Sequence, residues 1–333
     1  MSTIDIESRN TGLTEEQLEH FHREGYVVAR GLLDPVQDLD PLVSEYEGVL
    51  DSLAHDLLAA GEISSLYEGL PFGKRLIEIY KESGKVHKQY FDFTLGGNVT
   101  EETKFWVGPA VFSILRNERM LNAIESIIGP EIYSNPVQHV RMKPPEKVLP
   151  RDSKGRVEAY LGSTPPHQDH GVVTKEADGT EIITAWFPLW DATLENGCML
   201  VWPRSKESGL ADHCPRFDGL RIPDSQLPGE PVALPMKRGD VLFMNKLTMH
   251  GSMANHSDDV RFSMDLRYNP IGQPTGRDFL PGFVARSRSH PETELRDPLE
   301  WARLWYDCRS RLADQPLDHS KFNRWNADSP ACA

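Results

Sequence analysis

From Glu131 onward the chain breaks into short apolar stretches separated by proline, glycine and charge, and that rhythm narrows the folds open to it. The stretches run from Glu131 to Met142, into His167, from Glu181 to Leu189, Cys198 to Trp202, Val232 to Leu234, Val241 to Met244 and Arg261 to Tyr268. Strands at such intervals predict an antiparallel barrel or jelly roll rather than a parallel sheet. Gly239-Asp240 reads as the turn launching a strand that ends near His250. The segments 143 to 163 and 204 to 230, rich in charge, proline and glycine, are candidate rim loops.

The part before these strands reads as helical. Residues 1 to about 12 are polar and should be frayed. Thr14 with Gln17 makes a capping-box pattern, and Gly25 sits where that helix would stop, ahead of a strand Tyr26-Val27-Val28-Ala29. Asp34 is a candidate N-cap with Pro35 in the first turn. Leu39, Leu42, Tyr46, Val49, Leu53 and Leu57 then recur at helical spacing up to Gly61. A short helix is expected around Leu76 to Tyr80, a loop through Leu95-Gly96-Gly97-Asn98, and a helix from Glu118 to Gly129. Beyond the strands, Trp301, Leu304, Trp305 and Cys308 mark one face of a docked helix over 298 to 312. The tail from Pro316 is irregular.

Composition excludes several classes of function. With 333 residues, 39% hydrophobic and 26% charged, the chain can bury a real core, and no apolar run approaches the roughly 18 residues of a membrane span. A net charge of -14 argues against non-specific binding to nucleic acid or anionic membrane. The first residues carry neither a basic region nor an apolar core, so a cytoplasmic location is expected. Cys198, Cys214, Cys308 and Cys332 are scattered without a Cys-x-x-Cys pair, which indicates no zinc knuckle and no disulfide framework. Reduced thiols are the expectation.

The chemistry concentrates at Thr164-Pro165-Pro166-His167-Gln168-Asp169-His170. Two residues apart on an extended strand, His167 and Asp169 point to one face and could reach one metal ion. His250 is the candidate third ligand, completing a two-histidine, one-carboxylate set that suits iron(II) and leaves positions open. A chain with 12 histidines should contain about one His-x-Asp by accident, and His256-Ser257-Asp258 is a second instance. Arg261 opens a half-apolar strand, where a guanidinium is costly without an acid to bind. That acid is either one of the chain's own or an anionic cosubstrate.

Taken in order, these stretches resemble the phytanoyl-CoA dioxygenase family of iron(II) (Fe(II)) and 2-oxoglutarate-dependent oxygenases. The resemblance rests on Leu13-Thr14-Glu15-Glu16-Gln17, Gly25-Tyr26-Val27-Val28, Lys143-Pro144-Pro145 and His167-Gln168-Asp169. It continues through Ala185-Trp186, Asn196-Gly197-Cys198-Met199, Arg238-Gly239-Asp240-Val241-Leu242-Phe243, His250-Gly251-Ser252, Asn255-His256-Ser257 and Arg261. The resemblance implies one domain over 1-333: a helical part at about 13-129, a double-stranded β-helix (jelly roll, cupin-like) core at about 131-270, and a C-terminal helix and tail at about 296-333. It also implies that His167, Asp169 and His250 bind iron, and that Arg261 and Ser252 hold the far carboxylate of 2-oxoglutarate. Trp186 would line the cosubstrate pocket; His139 and Arg141, on the strand before Lys143, could contact 2-oxoglutarate, the substrate or only one another.

The activity so implied uses O2 and 2-oxoglutarate to hydroxylate a small-molecule metabolite, releasing succinate and CO2. Halogenating relatives replace the ligand carboxylate by a small residue, whereas Asp169 is retained here. Two departures stand out: Pro203-Arg204-Ser205-Lys206 replaces a common Pro-Gly-Ser-His, and Arg151 to Arg156 is a polar insertion. A basic rim of Lys147, Arg151, Lys154, Arg156 and Arg204 could admit an anionic substrate or be solvated surface. His170 could orient substrate, support the site or face solvent. A cupin-type metal enzyme that uses no 2-oxoglutarate and an inactive binding module on the same fold are the rival readings.

Overall fold

The computed structural model describes residues 12-151, 153-155, 157, 161-217, 219-316, 324-325 and 329-332. The N-terminal stretch read as frayed falls almost wholly outside them, as do Asp152 and Arg156 of the insertion. Helix α1 (Glu15–Glu24) begins with both halves of its capping box: the Gln17 N–H donates to Thr14 Oγ1 at 3.2 Å, and the Thr14 N–H donates to Gln17 Oε1 at 2.9 Å. Gly25 ends it at φ 86°, a left-handed conformation that glycine adopts without steric cost. Strand β1 (Tyr26–Ala29) follows directly.

Asp34 caps a π-helical turn, Pro35–Leu39, that runs into α2 (Asp40–Ala59). The expected stripe from Leu39 to Leu57 is buried along its whole length. Helix α3 (Phe72–Ser83) is longer than its apolar spacing suggested. The short α4 (Lys88–Phe91) and α5 (Pro109–Leu115) lie where the sequence offered no clear period. Helix α6 (Glu118–Ile128) is capped by Asn117 and ends at Gly129.

A long strand β2 (Glu131–Lys143) then opens two antiparallel sheets. Its partners in the six-stranded sheet are β4 (Ile183–Pro188), β9 (Val241–Asn245), β11 (Arg261–Pro270) and β12 (Phe283–Ser287), in the order β1-β9-β4-β11-β2-β12. The four-stranded sheet, β3-β10-β5-β8, contains β3 (Thr164–His167), β5 (Met199–Val201), β8 (Val232–Leu234) and β10 (His250–Ser252). A hairpin of β6 (Cys214–Arg216) and β7 (Gly219–Arg221) sits within the predicted 204 to 230 rim loop, and α7 (Pro298–Asp314) follows the strands. This is the jelly-roll arrangement expected, made of open sheets and not a closed barrel.

Side-chain alternation divides the six-stranded sheet cleanly. On β11, Phe262, Met264, Leu266 and Tyr268 enter the large core shared with the helices, where Phe262 meets Tyr46 edge-on at 5.3 Å and stacks on Phe72 at 5.8 Å. Arg261, Asp265 and Arg267, between them, face the other way into a cavity. Likewise Ile183, Ala185 and Phe187 of β4 face the helices, while Thr184 and Trp186 face the cavity. Tyr26, Trp186, Leu242 and Met244 pack against Met199, Val201 and Leu234 of the second sheet. The cavity therefore lies between the sheets. None of the described helices is long and apolar enough to cross a membrane.

Two expectations need correction. His250 does not end the strand launched at Gly239-Asp240: β9 stops at Asn245, a turn intervenes, and His250 opens the separate strand β10. The second concerns the thiols. Cys198 and Cys308 are free and buried, but Cys214 and Cys332 form a disulfide across 118 residues of sequence. Their Cα atoms stand 5.3 Å apart, within bridging range, because the tail returns to the β6–β7 hairpin, a proximity that spacing cannot reveal. Alkylation of the denatured, unreduced chain should add two groups rather than four, as read by intact mass; uptake of four would refute the crosslink.

Candidate metal centre and active-site cavity

Strands β3 and β10 run antiparallel, with His167 directly opposite His250. Gly251 permits that approach, since a Cβ there would stand 2.6 Å from the Thr164 carbonyl oxygen. The strand ends at His167 instead of continuing through Asp169. Gln168 stays extended at φ -115° and ψ 140°, which preserves the alternation for one more residue, and Asp169 begins the 3-10 turn Asp169–Val172. One ligand atom from each of His167, Asp169 and His250 lies within 4.8 Å of the others. The set expected from sequence is thus brought together, whereas the exposed His256 lies against Glu146, 3.5 Å away.

Hydrogen bonds fix the donor atoms. His167 Nδ1 is 2.9 Å from the Pro165 carbonyl and His250 Nδ1 is 2.9 Å from the Thr248 carbonyl. A carbonyl only accepts, so each Nδ1 donates to it and Nε2 is the ring nitrogen left to serve as a metal ligand. Burial, helped by the neighbouring His250, pushes His167 down to about 3, which keeps it neutral. Burial alone would raise the Asp169 carboxyl, but Arg267, with His250 and His167, outweighs it and holds the group far below the usual carboxylate range. Arg267 donates to Asp169 Oδ1 and Thr184 to Oδ2, two partners that periodicity did not single out. Two imidazoles, each presenting Nε2, and an ionised carboxylate are a suitable donor set for a divalent transition metal.

The turn between the ligands has its own anchors. The Gln168 N–H donates to His213 Nε2 at 2.8 Å, and the Gln168 side chain bonds the backbone at Gly209, Leu247 and Ala211. A Cβ on Gly171 would stand 2.4 Å from the His213 ring, so only glycine lets the two segments meet. His213 was missed because a single histidine in a polar loop carries no spacing signal. His170 is buried, with Nε2 3.1 Å from an Asp178 carboxylate oxygen, and it does not line the cavity.

The cavity measures about 620 Å³. Arg261, Ser252, Trp186, His139 and Arg141 all line it, as does Lys143; so do Leu95, Gly96 and Gly97 of the expected loop, and Leu161 and Leu220 from the two segments expected as rim loops. Arg261 Nη1 donates to the Gly197 carbonyl at 2.7 Å, its Nε has no partner among the described residues, and its guanidinium carbon lies 5.5 Å from the Trp186 ring centroid. Lys143 Nζ donates to Ser252 Oγ at 2.6 Å and to the Met253 carbonyl at 3.0 Å. Burial, with Arg261 and Arg141 nearby, pushes the Lys143 ammonium well below its ordinary value. Neither Arg261 nor Lys143 is ion-paired with a described carboxylate. By contrast, His139 meets Asp92 at 2.9 Å and Arg141 meets Asp265 at 3.2 Å. Lys147, Arg151 and Arg204 pair with surface acids, and neither they nor Lys154 line the cavity.

Comparison with known proteins agrees with this geometry. The sequence profile of the family described as phytanoyl-CoA dioxygenase (PhyH) matches residues 21–263. The chain belongs to that family. Phytanoyl-CoA dioxygenase domain-containing protein 1 of Danio rerio is 24% identical over 261 residues, covering 75% of this chain and 87% of that protein. The peroxisomal phytanoyl-CoA dioxygenase of Homo sapiens is 24% identical over 267 residues, covering 78% and 69%. A solved structure of the apo form of ThoJ, described as a non-heme monooxygenase, superposes with a TM-score of 0.52 at 16% identity, covering 90% of this chain and 100% of ThoJ, which shows the shared fold.

His167→Ala removes one ligand without stranding a charge and should weaken nickel(II) binding by about 100-fold or more in calorimetric titration. Asp169→Ala should in addition cost about 3-5 kcal/mol in urea unfolding, because Arg267 would lose its counter-ion in a buried site. Equal stability of the two variants would contradict the role given to Arg267.

Proposed function

We propose that the protein is an Fe(II)- and 2-oxoglutarate-dependent oxygenase that hydroxylates a C–H bond of a small-molecule metabolite. One observation carries the reading: a single cavity holds the His167, Asp169 and His250 donor set together with the buried Arg261 guanidinium and, against Ser252, the Lys143 amine, neither with an acidic partner among the described residues. Unpaired buried charge costs several kcal/mol, and a bound dicarboxylate offsets that cost. Family membership supports the same assignment.

In this reading His167, Asp169 and His250 would hold iron(II) through two Nε2 atoms and a carboxylate oxygen. Bound there with 2-oxoglutarate and O2, the metal supplies the oxidising power. The overall change is balanced: the C–H compound, 2-oxoglutarate and O2 become the alcohol, succinate and CO2. Arg261 and Ser252, joined by Lys143, would take the far carboxylate of 2-oxoglutarate and fix its orientation, the planar guanidinium supplying the geometric match. Trp186 buttresses Arg261 and, with Met199 and Met244, keeps bulk water from that end of the cavity. Thr184 and Arg267 hold the Asp169 carboxylate in one orientation and keep it ionised. His139 and Arg141, tied to Asp92 and Asp265, form a polar wall toward the substrate. A cavity of about 620 Å³ admits a molecule of drug-like size.

Anaerobic addition of iron(II) and 2-oxoglutarate should produce a visible charge-transfer band. Arg261→Ala should raise the 2-oxoglutarate concentration needed for that band by about 10- to 100-fold, the loss of a charged hydrogen-bonding partner. Absence of both the band and any succinate release in the wild-type protein would overturn the proposal.

A further inference from the structure

The family profile ends at residue 263, yet the cavity is lined by two residues from near the C-terminus, Arg324 and Trp325. Both are fastened to the turn that begins at Asp169. Trp325 Nε1 donates to the Gly171 carbonyl at 2.6 Å, and its ring lies 4.8 Å from the His213 ring at an interplanar angle of 32°. Arg324 donates to the His170 carbonyl at 3.2 Å and pairs with Asp178 at 2.5 Å, with its side chain only 6% exposed.

A few residues on, Cys332 is bonded to Cys214, the residue after His213. Arg216 Nη2 also donates to the Cys332 carbonyl, at 3.1 Å. The same hairpin contributes Leu220 to the cavity lining. Without the crosslink, the contacts named for Arg324 and Trp325 are a few hydrogen bonds, one ring contact and an ion pair whose acid is half exposed. Each such contact is worth about 1 kcal/mol or less, whereas a crosslink closing a loop of this length restricts the chain far more.

We propose that the C-terminal tail, fastened by the Cys214–Cys332 disulfide, completes the outer wall of the cavity through Arg324 and Trp325, and that reducing this bond loosens the wall. A dithiol reductant supplies two electrons and two protons: the Sγ–Sγ bond breaks, both cysteines become thiols, and the reductant leaves as its own disulfide. What the wall shields rests on the oxygenase reading; its fastening does not.

Brief trypsin digestion of the native full-length protein tests the fastening, because trypsin cuts after arginine and the Arg324 side chain is buried. Mass spectrometry after quenching and full reduction measures cleavage of the Arg324–Trp325 bond. Cleavage should be about tenfold or more faster in dithiol-treated protein and in Cys332→Ser than in untreated wild type. Added dithiol should not speed it further in Cys332→Ser. Equal cleavage in all three samples would overturn the proposal.

The wall itself is read by consumption of 2-oxoglutarate alone, without a primary substrate. Trp325→Ala and Cys332→Ser should raise that consumption about threefold or more by admitting water, with the half-saturating 2-oxoglutarate concentration unchanged. Unchanged consumption would remove the shielding role. A wild-type protein that neither forms the charge-transfer band nor consumes 2-oxoglutarate would defeat the oxygenase reading, and the cleavage rates would still decide the fastening.

Discussion

Strand β11 must satisfy two unlike environments at once, and the architecture follows from how it does so. It lies between β4 and β2, with its backbone paired on both edges, so only its two faces remain to be filled. The face carrying Phe262, Met264, Leu266 and Tyr268 completes the core beneath the helices. The face carrying Arg261, Asp265 and Arg267 cannot go into that core, and the second sheet covers it while leaving a cavity in which charged groups meet partners. A slip of one residue in this strand would exchange the two sets and destroy core and site together. Fold and chemistry therefore share one register.

Within the cavity, charge is arranged in a graded way. Arg267 is committed to Asp169 and holds ionised a carboxylate that burial alone would push toward the neutral form, between the two ligand imidazoles. Elsewhere in the cavity Arg261 keeps its charge without a protein counter-ion among the described residues, and Lys143 beside it is pushed well below its ordinary value by burial and by that arginine. The overall charge of -14 gives no hint of this, because the excess acid is spread over the surface while cations collect between the sheets. Electrostatic character of a site is a local property. Arg261 could have satisfied an internal acid; with Asp265 taken up by Arg141, it is left available to a ligand.

The ligand-bearing turn depends on segments far away in sequence. His213 accepts from the backbone between His167 and Asp169, Gly171 allows it to come that close, and the Trp325 ring rests against the His213 ring. The loop 204 to 230 is thus more than a rim: it supports the metal centre from beneath and carries one half of the only disulfide among the described residues.

The sequence by itself determined the local grammar. Thr14, Gln17 and Gly25 specify α1 through caps that act within a few residues, and the stripe from Leu39 to Leu57 specifies a buried helix face through periodicity. The alternating strands, with the ordered motifs from Leu13 to Arg261, specified the jelly roll and the family. His167, Asp169 and His250 were legible because ligand chemistry restricts residue type as well as spacing. Only tertiary structure decided which partners these groups would have. Arg267 beside Asp169, Lys143 beside Ser252, His213 beneath Gln168 and Cys332 beside Cys214 are contacts between residues tens to more than a hundred positions apart. Periodicity reports which face a residue occupies. What stands opposite that face is fixed by packing the whole chain, and so it was for Arg267, Lys143, His213 and Cys332.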